Sequence, residues 1–255
     1  RMPLDIAQAV CDEAHKLGLR TSAHIESTEG VEVGLKAGVD TIEHGAPLTD
    51  ELLKLFKKNG LGNASSLTCT LSPALPFAVL SPEKTHSTHV QKVNGRVVYE
   101  GVATATRQAL ANGIPVGLGT DSACPFVTHY DMWREVVYFQ RHTGVTPEFA
   151  LHTATLKNAQ LLGVANETGS IETGKSADLI VLDANPLDDL CALRNVEQVY
   201  MAGKPVKYKA KHLPKIDAEL DGIMNGLDND PFVSEWNIAS EKKSLNPFAK
   251  RGTKE

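Results

Sequence analysis

Three side chains in this sequence have the types and the placing to do chemistry: His24, His44 and Asp121. His24 comes at the end of the stretch LRTSAHI, His44 closes VDTIEH, and Asp121 follows IPVGLGT, so each stands at the end of a short strand-like run. Neutral imidazoles are the usual ligands of zinc and similar divalent ions. A carboxylate beside such an ion can ligate it and also take a proton from bound water, whose pKa zinc lowers toward about 7. Singly, each of the three reads as an ordinary hydrogen-bonding or capping residue. Their recurrence at three corresponding strand ends points to a partial hydrolytic metal site.

The other histidines are weaker candidates. His129, in the loop after Asp121, is a candidate substrate contact at the mouth of such a site. His86 and His89, spaced i, i+3 in HSTH, would chelate a metal only from one helix face. His15, His142, His152 and His212 read as helix or loop surface. Gly117 and Gly119 form no phosphate loop, because neither G-x-G-x-x-G nor G-K-[ST] follows.

Bringing three distant groups to one ion requires strands that end side by side. Pro3 and the spacing of Ile6, Val10, Ala14 and Leu17 predict a helix stopped by Gly18. A strand ending near His24, a helix over 27–37 closed by Gly38, and a strand ending at His44 follow. Thr49 caps a helix over ELLKLFKKNG, a third strand lies around LGNASSLTC, and LSPALPFAVLSPEKTH reads as a Pro-rich loop. A long helix over VQKVNGRVVYEGVATATRQALANG leads to the fourth strand, IPVGLGTD. Helices over YDMWREVVYFQRHTG and, opened by Thr146 and Pro147, TPEFALHTATLKNAQLLG complete this part. Strands alternating with helices through short connections predict a parallel sheet covered by helices. After Thr168 the pattern turns β-like and turn-rich. Beyond His212 it is polar and broken by Asn, Asp and Pro, which reads as a loosely ordered tail or an arm on a partner.

Bulk properties exclude several classes. At 255 residues the chain can bury a substantial core, and a net charge of −5 gives no electrostatic basis for binding nucleic acid or an anionic membrane. No apolar run approaches the roughly 20 residues of a membrane span. The four scattered cysteines contain no C-x-x-C pair, which favours reduced thiols in the cytoplasm over a disulfide framework.

TSAHIES, GVDTIEHG and PVGLGTDS, followed by ALHTATLKNAQLLGV and GSIETGKSADLIVLDANPLDDL, resemble the metal-dependent amidohydrolase superfamily over about residues 3–208. Among its subgroups the chain resembles imidazolonepropionase-like and Xaa-Pro dipeptidase-like members. The resemblance implies an α/β fold: the C-terminal half of a TIM (β/α)8-type barrel in residues 1–167 and part of a small β-sandwich in 168–212, with 213–255 as the polar tail. It implies that His24 and His44 ligate a divalent metal, zinc first, with iron or manganese as the other candidates. Asp121 would be both ligand and general base.

The implied reaction is hydrolysis of amide-type C–N bonds, in a cyclic amide or a small peptide such as an Xaa-Pro dipeptide, with metal-bound hydroxide as nucleophile. Two other readings stay open: a ring deaminase using the same groups, and a non-catalytic fragment or scaffold. The family pattern also carries a His-x-His pair on the first barrel strand, and this sequence has none. A barrel needs eight strands where four are legible here, and the chain starts at Arg1, already close to a helix. Both features predict an N-terminally truncated chain that binds metal poorly by itself. The partner is a small molecule, with self-association into a homo-oligomer left open.

Overall fold

The computed structural model describes residues 2–56, 65–207 and 210–240. They fall into two compact units, one up to Gly119 and one from Thr120 onward.

The first unit is a run of strand–helix repeats. Helix α1 (Leu4–Lys16) precedes β1 (Ser22–Ile25), α2 (Thr28–Ala37), β2 (Thr41–His44), α3 (Asp50–Phe56) and β3 (Ser66–Cys69). Then come α4 (Leu75–Val79), α5 (Pro82–Thr85), α6 (His89–Ala111) and β4 (Val116–Leu118). The four strands form one parallel sheet in the order β1-β2-β3-β4, as the alternating pattern requires. The core lies between sheet and helices, with Leu35, Ile42, Phe56, Leu67, Tyr99 and Val102 inaccessible to solvent.

Helix α2 shows how sequence sets the spacing. The Ser27 hydroxyl accepts the Gly30 amide at 3.1 Å to start it, and left-handed Gly38 ends it. On the face toward β1, a Cβ at Gly34 would come within 2.7 Å of Ile25 Cδ1 and 3.1 Å of Ile42 Cδ1. Lacking one, α2 lies flush on β1 and β2, and Ile25 and Ile42 are committed to the helix side of the sheet.

The Pro-rich stretch after β3 is not a plain loop. It contains α4 and α5, with Pro76 and Pro82 at their first turns, where the missing N–H is no loss. Helix α6 opens on a reciprocal cap: the Thr88 amide donates to Gln91 Oε1 (2.8 Å) and the Gln91 amide to Thr88 Oγ1 (3.2 Å). The C-terminal part of the helix predicted over ELLKLFKKNG, and the start of the third predicted strand, lie outside the described residues.

The second unit begins with α7 (Met132–Thr143) and α8 (Pro147–His152), which continues through one π turn (Thr153–Lys157) into α9 (Asn158–Leu162). An antiparallel sheet follows, β5 (Leu179–Leu182), β6 (Val196–Met201) and β7 (Lys204–Pro205), with a 3-10 turn at Leu190–Arg194 after β5. The tail expectation is corrected here. Residues after His212 form α10 (Pro214–Gly226) and α11 (Pro231–Ser240). Leu220, Ile223, Met224 and Leu227 recur at helical spacing and are buried. Tyr130 Oη donates to Asp217 at 3.0 Å, and Arg141 Nη1 to the Met224 carbonyl at 2.6 Å, which fasten α10 to the segment around α7. Residues 241–255 of the expected tail lie outside the described residues.

Three histidines expected at the surface also need correction, His152 being only partly exposed. His142 is fully buried on α7, its Nδ1 2.6 Å from the Tyr138 carbonyl. His15 is only partly exposed and pairs with Asp40.

Candidate metal centre

Side chains alternate across a strand, so with Ile25 on the helix side His24 faces the opposite side of the sheet. His44 should then be misdirected. The register pairs it with Ile25, and pairs His24 with Glu43. Yet the rings of His24 and His44 meet edge to face, with centroids 4.8 Å apart and planes at 81°. The backbone supplies the reason. His44 has φ +69°, a left-handed conformation that ends the strand and swings its imidazole to the His24 side. Gly45 follows at φ +86°, its amide donating to the carbonyls of Ile25 (2.9 Å) and Glu43 (3.0 Å). A strained non-glycine backbone is the kind of feature that collects at functional sites.

Glu26, which sequence reasoning passed over, joins them. One ligand atom each from His24, Glu26 and His44 lie within 4.8 Å of one another. The signal was in the sequence: His24 and Glu26 are two residues apart, the spacing that puts both on one face of an extended chain. Glu26 and His44 also line a cavity of about 360 Å³, walled by Thr70, Phe77, Asn94 and Val98. Two imidazoles and one carboxylate are a donor set suited to zinc, iron or manganese, so the residues present fit the divalent ion expected here.

Asp121 and His129 belong to the second unit. Asp121 is the third residue past β4, exposed and left-handed at φ +54°, and its Oδ2 accepts the Cys124 thiol at 3.2 Å. His129 is exposed in the loop before α7. His86 closes α5 with a left-handed backbone while His89 opens α6, so no single helix face carries both.

The chain belongs to the amidohydrolase family, whose model matches residues 3–206. Its α/β fold is that of solved amidohydrolase structures. One, from Bifidobacterium longum and assigned as a prolidase, is 46% identical and superposes with a TM-score of 0.84 over 88% of this chain and 56% of that one. A Xaa-Pro dipeptidase with methionine in its active site is 30% identical, with a TM-score of 0.70 over 82% of this chain and 50% of that one. Imidazolonepropionase of Streptococcus sanguinis is 27% identical over 79% of this chain and 44% of its own length. The chain thus spans about half the length of the relatives it matches. Among the described residues, no helix is long and apolar enough to cross a membrane.

Proposed function

We propose that the protein is a metal-dependent hydrolase of amide-type C–N bonds, acting on small peptides such as Xaa-Pro dipeptides or on cyclic amides. The observation that carries this reading is the meeting of the His24 and His44 rings at the ends of adjacent parallel strands, achieved through a left-handed His44. Likeness to a Xaa-Pro dipeptidase and to imidazolonepropionase supports the substrate class.

His24 and His44 would hold the ion, zinc being the first candidate. When bound, the ion supplies a polarised scissile carbonyl and a more acidic water. Asp121 accepts the proton of the attacking water and returns it to the leaving nitrogen as the C–N bond breaks. The cavity beside Glu26 and His44 receives one substituent of the substrate against Phe77 and Val98. His129 contacts the substrate from the loop before α7. The four cysteines are free thiols, which supports a reducing, cytoplasmic setting. The three-stranded sheet is read as one part of a β-sandwich.

The test is hydrolysis of Xaa-Pro dipeptides and a cyclic amide by purified protein supplied with zinc or manganese. Asp121→Asn lowers kcat/KM by roughly 10²–10⁴-fold, the usual contribution of a general base. Unaltered turnover in that variant removes Asp121 from the mechanism. Release of ammonia from an aminated ring, with no amide cleavage, moves the reading to a deaminase.

A further inference from the structure

The family resemblance implies two tasks for Asp121, ligand and base. The first unit holds a second carboxylate able to take the first of them. Glu26 lies one residue past β1, on the His24 side of the chain, while Ile25 between them is fixed against Gly30 and Gly34 of α2. That anchor keeps the His24–Ile25–Glu26 backbone extended and presents imidazole and carboxylate together. The left-handed turn at His44 then brings in the second imidazole.

Distance and charge both favour a cation among these three groups. Their ligand atoms lie within 4.8 Å of one another. Around a zinc-sized ion with bonds of about 2.0–2.2 Å, tetrahedral ligand atoms sit roughly 3.3–3.6 Å apart. The difference is within the reach of side-chain rotation, since His24 and Glu26 are both exposed. Among the described residues, Glu26 has neither a hydrogen-bond nor an ion-pair partner. No lysine or arginine among the described residues lines the cavity it shares with His44. An uncompensated carboxylate beside two imidazole lone pairs is a field that a dication neutralises.

We infer that Glu26 is the third protein ligand of the divalent ion held by His24 and His44, giving a two-histidine, one-carboxylate site supplied by the first unit. This rests on the metal-dependent reading above and divides its labour. Glu26 supplies the anionic ligand, and Asp121 is released to move protons. It also reverses the expectation that the chain binds metal poorly without a His-x-His strand.

Metal binding by the intact chain tests this without an activity assay. Zinc is titrated against a competing chelator dye, and cobalt is added separately to read its visible absorption. Glu26→Gln keeps the shape and removes the charge. Glu29→Gln does the same at an exposed site in the first turn of α2, three residues along. Because replacing even an outer partner of a ligand costs about 10–100-fold in metal affinity, Glu26→Gln is expected to weaken zinc binding at least tenfold. It also changes the cobalt spectrum, while Glu29→Gln stays within about twofold of the parent. Thermal melts confirm that the variants fold.

If Glu26→Gln binds zinc like the parent while His44→Ala loses it, Glu26 is not a ligand and the inference fails, with the metal-dependent reading intact. Equal losses in Glu26→Gln and Glu29→Gln also overturn it, since general charge would then explain both. If folded His44→Ala binds zinc as tightly as the parent, the metal-dependent reading itself falls and takes the inference with it.

Discussion

His15 Nε2 donates to Asp40 Oδ2 across 2.9 Å, joining α1 to the residue that precedes β2. Asp40 is only 3% exposed, and its Oδ2 also accepts the amide (2.8 Å) and hydroxyl (3.1 Å) of Thr21, just ahead of β1. Burial works to raise its pKa, but the Thr21 amide, His15 and the Thr21 hydroxyl together outweigh it, and the carboxyl lies below its ordinary value. A carboxylate lowered on folding adds stability above its unfolded pKa, near 4, and that contribution disappears as pH falls through the lower folded value. Asp40→Asn should lose about 2 kcal/mol at neutral pH and show a shallower acid limb in a plot of Tm against pH. Superimposable acid limbs would show that Asp40 has no part in acid unfolding.

Gly45→Ala should damage stability and site together. Position 45 is left-handed, and an added Cβ would come within 2.6 Å of Leu67 Cδ1, itself fully buried. Backbone strain and overpacking predict a loss of about 2 kcal/mol or more in denaturant unfolding. Zinc affinity should fall in the same variant, because the His44 imidazole is aimed by the turn that Gly45 completes.

Arg134 and Arg194 both reach Asp221, at 2.8 Å and 3.0 Å, but their surroundings differ. Arg134 is buried and also faces Asp131, itself buried, while Arg194 is half exposed. Burial raises the Asp221 carboxyl pKa, and the two guanidinium groups outweigh it and bring the value down. Arg134→Met should cost about 3 kcal/mol, since it strands a buried carboxylate, and Arg194→Met less than about 1 kcal/mol. Urea melts of the two variants decide it, and equal losses would contradict this ranking.

Ala123 is exposed yet held at φ +88° in the loop after Asp121. Glycine adopts that conformation without the Cβ penalty, so Ala123→Gly is expected to raise stability by about 0.5–1 kcal/mol and Tm by roughly 2 °C. A lower Tm would mean that glycine's freedom in the unfolded chain outweighs the relief.

Much of the first unit was legible. Short apolar runs ending in His24 and His44, separated by a Ser-capped and Gly-terminated helix, specify a strand–helix–strand unit whatever lies around them. The direction of His44 was not legible. Alternation and register put it with Ile25, and only its left-handed backbone, which histidine favours more than most residues but adopts at few positions, sends it toward His24. Glu26 was visible as the third letter of His-Ile-Glu but drew no notice beside two histidines. The tail misled because Asp and Asn dominate its composition, while the period of Leu220, Ile223, Met224 and Leu227 fixes its structure. Pro76 and Pro82 were read as breakers where they serve as starters. Nothing in TATLK announces a π turn.

The left-handed backbone at His44 also limits which amino acids can occupy that position. Glycine tolerates the conformation most readily, asparagine, aspartate and histidine follow, most other types are penalised there, and β-branched types most of all. Of the residues at home in this geometry, histidine alone offers an imidazole lone pair. A saturation library at position 44, screened first for soluble expression and then for zinc capture, should therefore leave a handful of survivors in the first screen and, in the second, histidine with aspartate as its one rival.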